Sequence, residues 1–193
     1  MTIIDTLIFD RTAADTAKLQ ALEAAAMVRT LTDEELAEWN AAVVRGAYNA
    51  EDLNRIGTAV VFADAYLSGV QDAIDAYRAS LGVADEDIFD AHIKPPEEVI
   101  VPRQDWSRVE SPLMADDIAQ TMRAARVTAA RIGVALAQVD ISHMTYADAN
   151  AVERAIHDAY RCAEDAEKTR KDKAGRIAKG WYFSGDLVCG ECI

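Results

Sequence analysis

The chain has 193 residues, 51% of them hydrophobic, and a formal net charge of -13. That length suits one domain with a real core or two small helical units. The acidity disfavours nucleic acid as a partner, because a negative surface repels phosphate backbones.

No stretch of about 18 apolar residues is present, so neither a membrane span nor a membrane partner is expected. The opening MTIIDTLIFDRT has no basic n-region and carries Asp5 and Asp10, which does not fit a secretory signal. With only 4 Pro, 9 Gly and abundant Ala, the composition favours helix. The charge is uneven. Residues 1–100 hold 19 acids and 7 bases, and residues 101–193 hold 14 and 13.

In chain order, IIDTLIF (3–9) reads as a short strand. Thr12 with Asp15 has capping-box spacing and opens a helix whose apolar face is Leu19, Leu22 and Ala26. Thr32 with Glu35 opens a second, over 33–44, with Leu36, Trp39 and Val43 on one side and Gly46 as its C-cap.

The longest pattern follows. Asn49 with Asp52 starts a helix over 50–81, and Leu53, Ile56, Val60, Ala63, Leu67, Val70, Ile74, Tyr77 and Leu81 recur in strict steps of three and four. Such spacing makes one stripe of heptad type, a candidate self-assembly surface. Gly57 and Gly69 lie inside it, Gly69 as a candidate bend and Gly57 as a place for a close helix crossing.

Residues 83–110 contain Pro95, Pro96 and Pro102, and read as an extended arm. Val99, Ile100 and Val101 form a candidate edge strand or intersubunit contact, with Trp106 pinning the arm's end to the core. Ser111-Pro112 then starts a helix to about Val139, striped by Ile118, Met122, Ala125, Ala129, Ile132, Leu136 and Val139.

After a short turn, Thr145 with Asp148 starts a third long helix, striped by Ala149, Val152, Ile156, Ala159, Ala163 and Ala166. The two are expected to form an antiparallel hairpin, close because of their small facing residues. GWYFSGDLVCGECI (180–193) ends the chain as a strand-like segment.

A faint repeat links Asp52, Asn54, Ile56, Ala59, Val60 and Ala63 to Asp148, Asn150, Val152, Ala155, Ile156 and Ala159, 96 residues on. Asn54 and Asn150 are read as hydrogen-bonding residues that fix how each helix meets its predecessor. The basic run 168–179 (KTRKDKAGRIAK) complements the helix dipole. A sharper reading is a contact with the acidic N-terminal half of a neighbouring subunit.

No catalytic, cofactor or metal site is expected. Cys189 and Cys192 supply two zinc ligands of the four required, and His92, His143 and His157 lack ligand spacing. The pair also stands after a strand rather than at a helix N-terminus, where a redox thiol is activated. Three cysteines in all suit a reducing cytoplasm.

The segments IDTLIFDRTAAD, GAYNAEDLNRIG, DWSRVESP, MTYADANAVE and YFSGDLVCGE together resemble a family of small tail-associated structural proteins of phages and prophages of Gram-positive bacteria. The resemblance covers most of the chain, and YNAEDLNR is its most specific piece. This chain departs from the family at Cys189 and Cys192, where small polar residues are usual, and in a longer arm at 83–104.

The resemblance implies a virion component of the distal tail, tip or baseplate, made in the bacterial host cytoplasm and without enzymatic activity. Its partners would be other tail proteins and copies of itself, a trimer being favoured. The alternative is a cytoplasmic helical adaptor or regulator unrelated to virions.

The expected fold is mainly α, a helical bundle with long heptad-patterned helices and short N- and C-terminal β-strands. It divides into a strand and helical unit (1–82), the arm (83–110), and a helical hairpin with a terminal strand (111–193).

Overall fold

The computed structural model describes residues 1–46, 48–81, 93–106 and 115–178. Among them are α1 (Ala13–Val28), α2 (Asp33–Gly46), α3 (Ala50–Leu81), α4 (Ala115–Ala130) and α5 (Tyr146–Ala178). The mainly helical expectation holds.

Four helix starts are built by reciprocal hydrogen bonds that satisfy otherwise orphaned backbone donors. Thr12 and Asp15 exchange them at 3.3 and 2.7 Å. Thr32 and Glu35 do so at 3.2 and 2.9 Å. Asn49 and Asp52 follow at 3.1 and 3.0 Å, and Thr145 and Asp148 at 3.3 and 2.8 Å.

The N-terminal strand is not formed. Ile3–Thr6 is a 3-10 turn, in which the Thr2 N–H donates to the Asp5 carboxylate at 2.6 Å and the Thr6 hydroxyl donates to the Ile3 carbonyl at 2.7 Å. Ile4 and Leu7, three residues apart, are buried, which is a helical rather than an alternating spacing. No strand occurs among the described residues. The expected C-terminal strand with Cys189 and Cys192, and the helix start Ser111-Pro112, lie outside them.

The helix expected to reach Val139 stops at Ala130. Gly133 adopts φ +78°, the left-handed region that favours glycine. Its N–H donates to the Ala130 carbonyl at 3.0 Å, and the Val134 N–H donates to the Ala129 carbonyl at 3.1 Å. This pair is the Schellman stop. Past it, Leu136 and Val139 still pack on the core, but from non-helical chain.

That stop changes the topology. Leu53, Ile56 and Val60 of α3, Met122 and Ala125 of α4, and Val152 and Ile156 of α5 share one core cluster. Leu67, Val70 and Ile74 of α3, Ala159, Ala163 and Ala166 of α5, and Ile132 just after α4 share a second. In each helix the lower numbers lie in the first cluster and the higher in the second, so α3, α4 and α5 run the same way.

The antiparallel hairpin expected for the second half is therefore absent, since parallel neighbours need return crossings. One return runs from Ile93 in the second cluster to Ile100 and Trp106 in the first. The other runs from Ile132 to Leu136, Val139, Ile141 and Met144. Arg131 ties the far ends together. Its guanidinium donates to the Lys94 carbonyl at 3.0 Å, to the Asp64 carboxylate at 2.6 Å and to the Ser68 hydroxyl at 3.0 Å.

The helices α1 and α2 stand apart from this bundle, sharing a small cluster of Leu19, Leu22 and Ala42 with Trp39 and Val43. They cross closely at Gly46, where a Cβ would come within 2.7 Å of the Asp15 carbonyl oxygen.

Gly57 does permit a close approach, but of the arm rather than a helix. A Cβ there would collide with the Arg103 carbonyl oxygen, whereas a Cβ at Gly69 meets nothing within 4 Å. Intrinsic propensity favours alanine at both by about 1 kcal/mol. Gly69→Ala is expected to raise stability by about that amount. Gly57→Ala is expected to lower it by about 1–3 kcal/mol, the usual cost of overpacking. Urea unfolding of the two variants checks this.

Candidate functional site

At the first-cluster end of the bundle, four charged side chains from three parts of the sequence meet out of solvent. Arg11 follows the N-terminal turn, Asp52 and Arg55 lie in the first turns of α3, and Glu153 lies in α5. Arg11, Asp52 and Glu153 are all buried, Glu153 with 0% exposure.

The Arg11 guanidinium donates to Asp52 at 2.9 Å and to Glu153 at 2.8 Å. It also reaches the Ile8 carbonyl. Arg55 donates to Glu153 through Nε and Nη2, each at 3.2 Å, and to Asp52. Glu153 further accepts the Ile8 N–H at 2.6 Å, and Asp52 accepts the Asn49 N–H at 3.0 Å.

Two cations and two carboxylates make the cluster neutral. A buried ion is tolerable only when its charge is met and its polar atoms are paired. Here the charges balance and all four carboxylate oxygens accept hydrogen bonds, while the buried Arg11 Nε has no hydrogen-bond partner among the described residues. Burial opposes the Arg55 charge, but hydrogen bonding to Glu153 and the charges of Glu153 and Asp52 outweigh it and raise its pKa. The Tyr48 ring sits 5.5 Å from the Arg11 guanidinium, within cation–π range. Burial, then the charges of Glu153 and Asp52, hold the Tyr48 phenol far above its ordinary pKa.

Beside the cluster are two matching clamps. Asn54 of α3 accepts the Trp106 N–H and donates to the Trp106 carbonyl, both at 2.7 Å. Asn150 of α5 accepts the Arg11 N–H at 3.0 Å and donates to the Arg11 carbonyl at 2.8 Å. Each amide thus satisfies both backbone groups of one residue in an irregular segment, as a neighbouring strand would.

The likeness goes further. The Arg11 side chain donates to the carbonyl three residues back, at Ile8, and the Trp106 indole does the same to Arg103 at 3.3 Å. The clamped residues sit in matching contexts, Asp10-Arg11-Thr12 and Asp105-Trp106-Ser107. The repeat seen between α3 and α5 therefore extends to the segments they hold. The grip is reciprocal, with α3 holding the entry to the second half and α5 the entry to the first.

The candidate residues fall as follows. Leu53, Ile56, Val60, Leu67, Val70 and Ile74 are buried inside the chain, and Tyr77 and Leu81 pack partly buried on the second cluster. The stripe is thus covered mostly by the chain's own helices. Trp106 is buried in the main core, Ile100 packs against it, and Val99 and Val101 are exposed.

A groove of about 520 Å³ runs between residues 98–101, the outer face of α4 and residues 137–139. Arg11, Asp52, Arg55 and Glu153 were not singled out as a group by sequence reasoning. The available signal was charge at positions on or beside the apolar stripes, namely Asp52 before Leu53 and Glu153 after Val152.

Removing Arg11 strands two buried carboxylates on Arg55 alone. Arg11→Ala and Glu153→Ala are each expected to cost about 3–5 kcal/mol, the usual penalty for breaking a buried pair. The Arg11→Leu/Glu153→Leu double variant is expected to cost clearly less than the two single changes to leucine added together. Guanidinium unfolding of this cycle measures the coupling. Asn54→Ala and Asn150→Ala each orphan one N–H and one carbonyl, for an expected loss of about 2–4 kcal/mol apiece. Hydrogen exchange at the amides of Trp106 and Arg11 locates the loss.

No family model, curated protein or solved structure matches this chain.

Proposed function

We propose that this protein is a structural, non-enzymatic component of a phage virion tail, in the distal tail, tip or baseplate. It works through contacts with copies of itself, three being the favoured number, and with neighbouring tail proteins. It is made in the bacterial host cytoplasm and carried in the virion. Long stripes on α3 and α5, spent on packing the helices against one another, fit this reading.

One observation carries the proposal. The segments that bear the resemblance to the tail-protein family converge on one place and are spent on holding the fold. DRT contributes Arg11, DLNR contributes Asp52, Asn54 and Arg55, DWS contributes Trp106, and DANAVE contributes Asn150 and Glu153. An enzyme family's signature residues would be expected to face a cleft. Here the charged ones are neutralised by each other and the amides are used up on backbone, which leaves no free base, nucleophile or anion site among them.

No described helix is long and apolar enough to cross a membrane, which fits a particle component. Mass spectrometry of purified particles from a lysogen carrying the gene, followed by immunogold labelling, is expected to find the protein at the tail end. Recovery from the cell lysate with none in the particles would overturn the reading in favour of a cytoplasmic adaptor.

A further inference from the structure

We infer that the groove between residues 98–101, α4 and residues 137–139 binds an extended peptide segment of a partner protein, one that carries an acidic and a basic side chain at its two ends. The inference goes beyond the proposed function. It concerns a different surface and holds for an adaptor as well as for a virion component.

The first observation is one arginine left over. Among the described residues, every arginine except Arg126 has a hydrogen bond, an ion pair or a ring contact. Arg126 has none, although it is half-buried and lines the groove of about 520 Å³. With a net charge of -13 the chain has carboxylates to spare, so this guanidinium is not unpaired for want of anions. Its planar fork suits a carboxylate, which it can hold through two hydrogen bonds.

The second observation is an opposite charge at the other end. Asp116 lines the same groove, is exposed and has no partner among the described residues. Between the two ends the charges cancel, since Arg123 donates to both oxygens of the Glu98 carboxylate, through Nε at 2.7 Å and through Nη2. Positions 116 and 126 of α4 are separated by about 15 Å at about 1.5 Å per residue. Extended chain covers that distance in about four to five residues. The groove therefore asks for a carboxylate at one end of such a segment and a cation at the other. A segment with one charge of each sign is neutral, so the negative charge of the whole chain does not repel it.

The third observation is the walls. Both are irregular chain, and among the described residues none of the N–H groups at 98–101 or 137–139 donates a hydrogen bond. The Val101 carbonyl is taken by the Gln120 amide at 2.9 Å. Carbonyl groups of an added segment can accept from such donors, as in strand addition. Val99 and Val101 stand exposed at the rim and the buried Met122 lines the groove, which offers apolar surface to the middle of the segment.

Fluorescence anisotropy of the full chain with two labelled synthetic peptides tests this. Each is a run of threonine and valine holding one lysine and one glutamate about four residues apart, lysine first in one and glutamate first in the other. At least one is expected to bind the wild type with a Kd below about 1 mM. Arg126→Glu is expected to weaken that binding at least tenfold, and a peptide with lysine in place of the glutamate is expected to recover it on the variant. Because Arg126 has no partner within the chain, the variant is expected to unfold in urea at the wild-type midpoint.

No binding of either peptide to the wild type, or binding that Arg126→Glu leaves unchanged, would overturn the site. A loss that the altered peptide does not recover would overturn the charge pairing, and a lowered urea midpoint would give Arg126 a role in the fold instead. A light-scattering mass above the 21.0 kDa monomer that falls to it in Arg126→Glu would assign the groove to a second copy and overturn the peptide partner. None of these readouts depends on whether the protein resides in a particle, so the inference and the proposed function fail separately.

Discussion

The neutral knot of Arg11, Asp52, Arg55 and Glu153 is the interaction on which the arrangement of this chain depends. Hydrophobic burial brings α3, α4 and α5 together but is indifferent to register, because an alanine-rich face can slide by a turn at little cost. The charged group is not indifferent. Arg11 must meet Asp52 at 2.9 Å and Glu153 at 2.8 Å together, and a slip of one turn would leave a carboxylate buried and unpaired at several kcal/mol. The same knot fixes the N-terminal segment, because Glu153 also takes the Ile8 N–H. One cluster therefore sets the height of α3 against α5 and seals the chain's first residues onto both.

The parallel direction of the three helices imposes a second constraint. Each return crossing is irregular chain laid against a helical surface, and such chain has no ladder to satisfy its N–H and C=O groups. Leaving them unpaired where they meet the core would cost about 1–3 kcal/mol each. The asparagine clamps answer this at Trp106 and Arg11, and Arg131 does so at Lys94, where the Lys94 N–H also donates to the Arg131 carbonyl at 2.8 Å. Gly57 belongs to the same solution, since only a residue without Cβ lets the Arg103 carbonyl lie so close to α3. A helical glycine that looks like a weakness by propensity is here the seat of a crossing strand of chain.

Much of this was legible beforehand, and the reasons are local. Capping pairs act across three residues, so Thr12, Thr32, Asn49 and Thr145 announced their helices directly. The stripe from Leu53 to Ile74 told which face of α3 is buried, although not that its own chain buries it. Direction was not legible, because a stripe is the same read up or down. The sign of the α4–α5 packing rested on Gly133, whose left-handed stop lay inside an unbroken three-four pattern of apolar residues. The charge cluster was missed for a different reason. Its members lie as much as 142 residues apart, and each taken alone passes for a surface charge or a helix cap.

The two halves share an entry segment, a clamp and a long helix, of 32 residues in α3 and 33 in α5. They differ in what lies between. After Trp106 the chain places α4 into the bundle against α3 and α5. After Arg11 it places α1 outside the bundle against α2. Of the described helices, α4 is thus spent on the core and α1 lies outside it. A hairpin of two helices cannot bury its own apolar surface, which explains why Met27, Val28 and Leu36 remain in water. The placement of α1 and α2 beside the bundle rather than within it thus gives a self-satisfied core a projecting end.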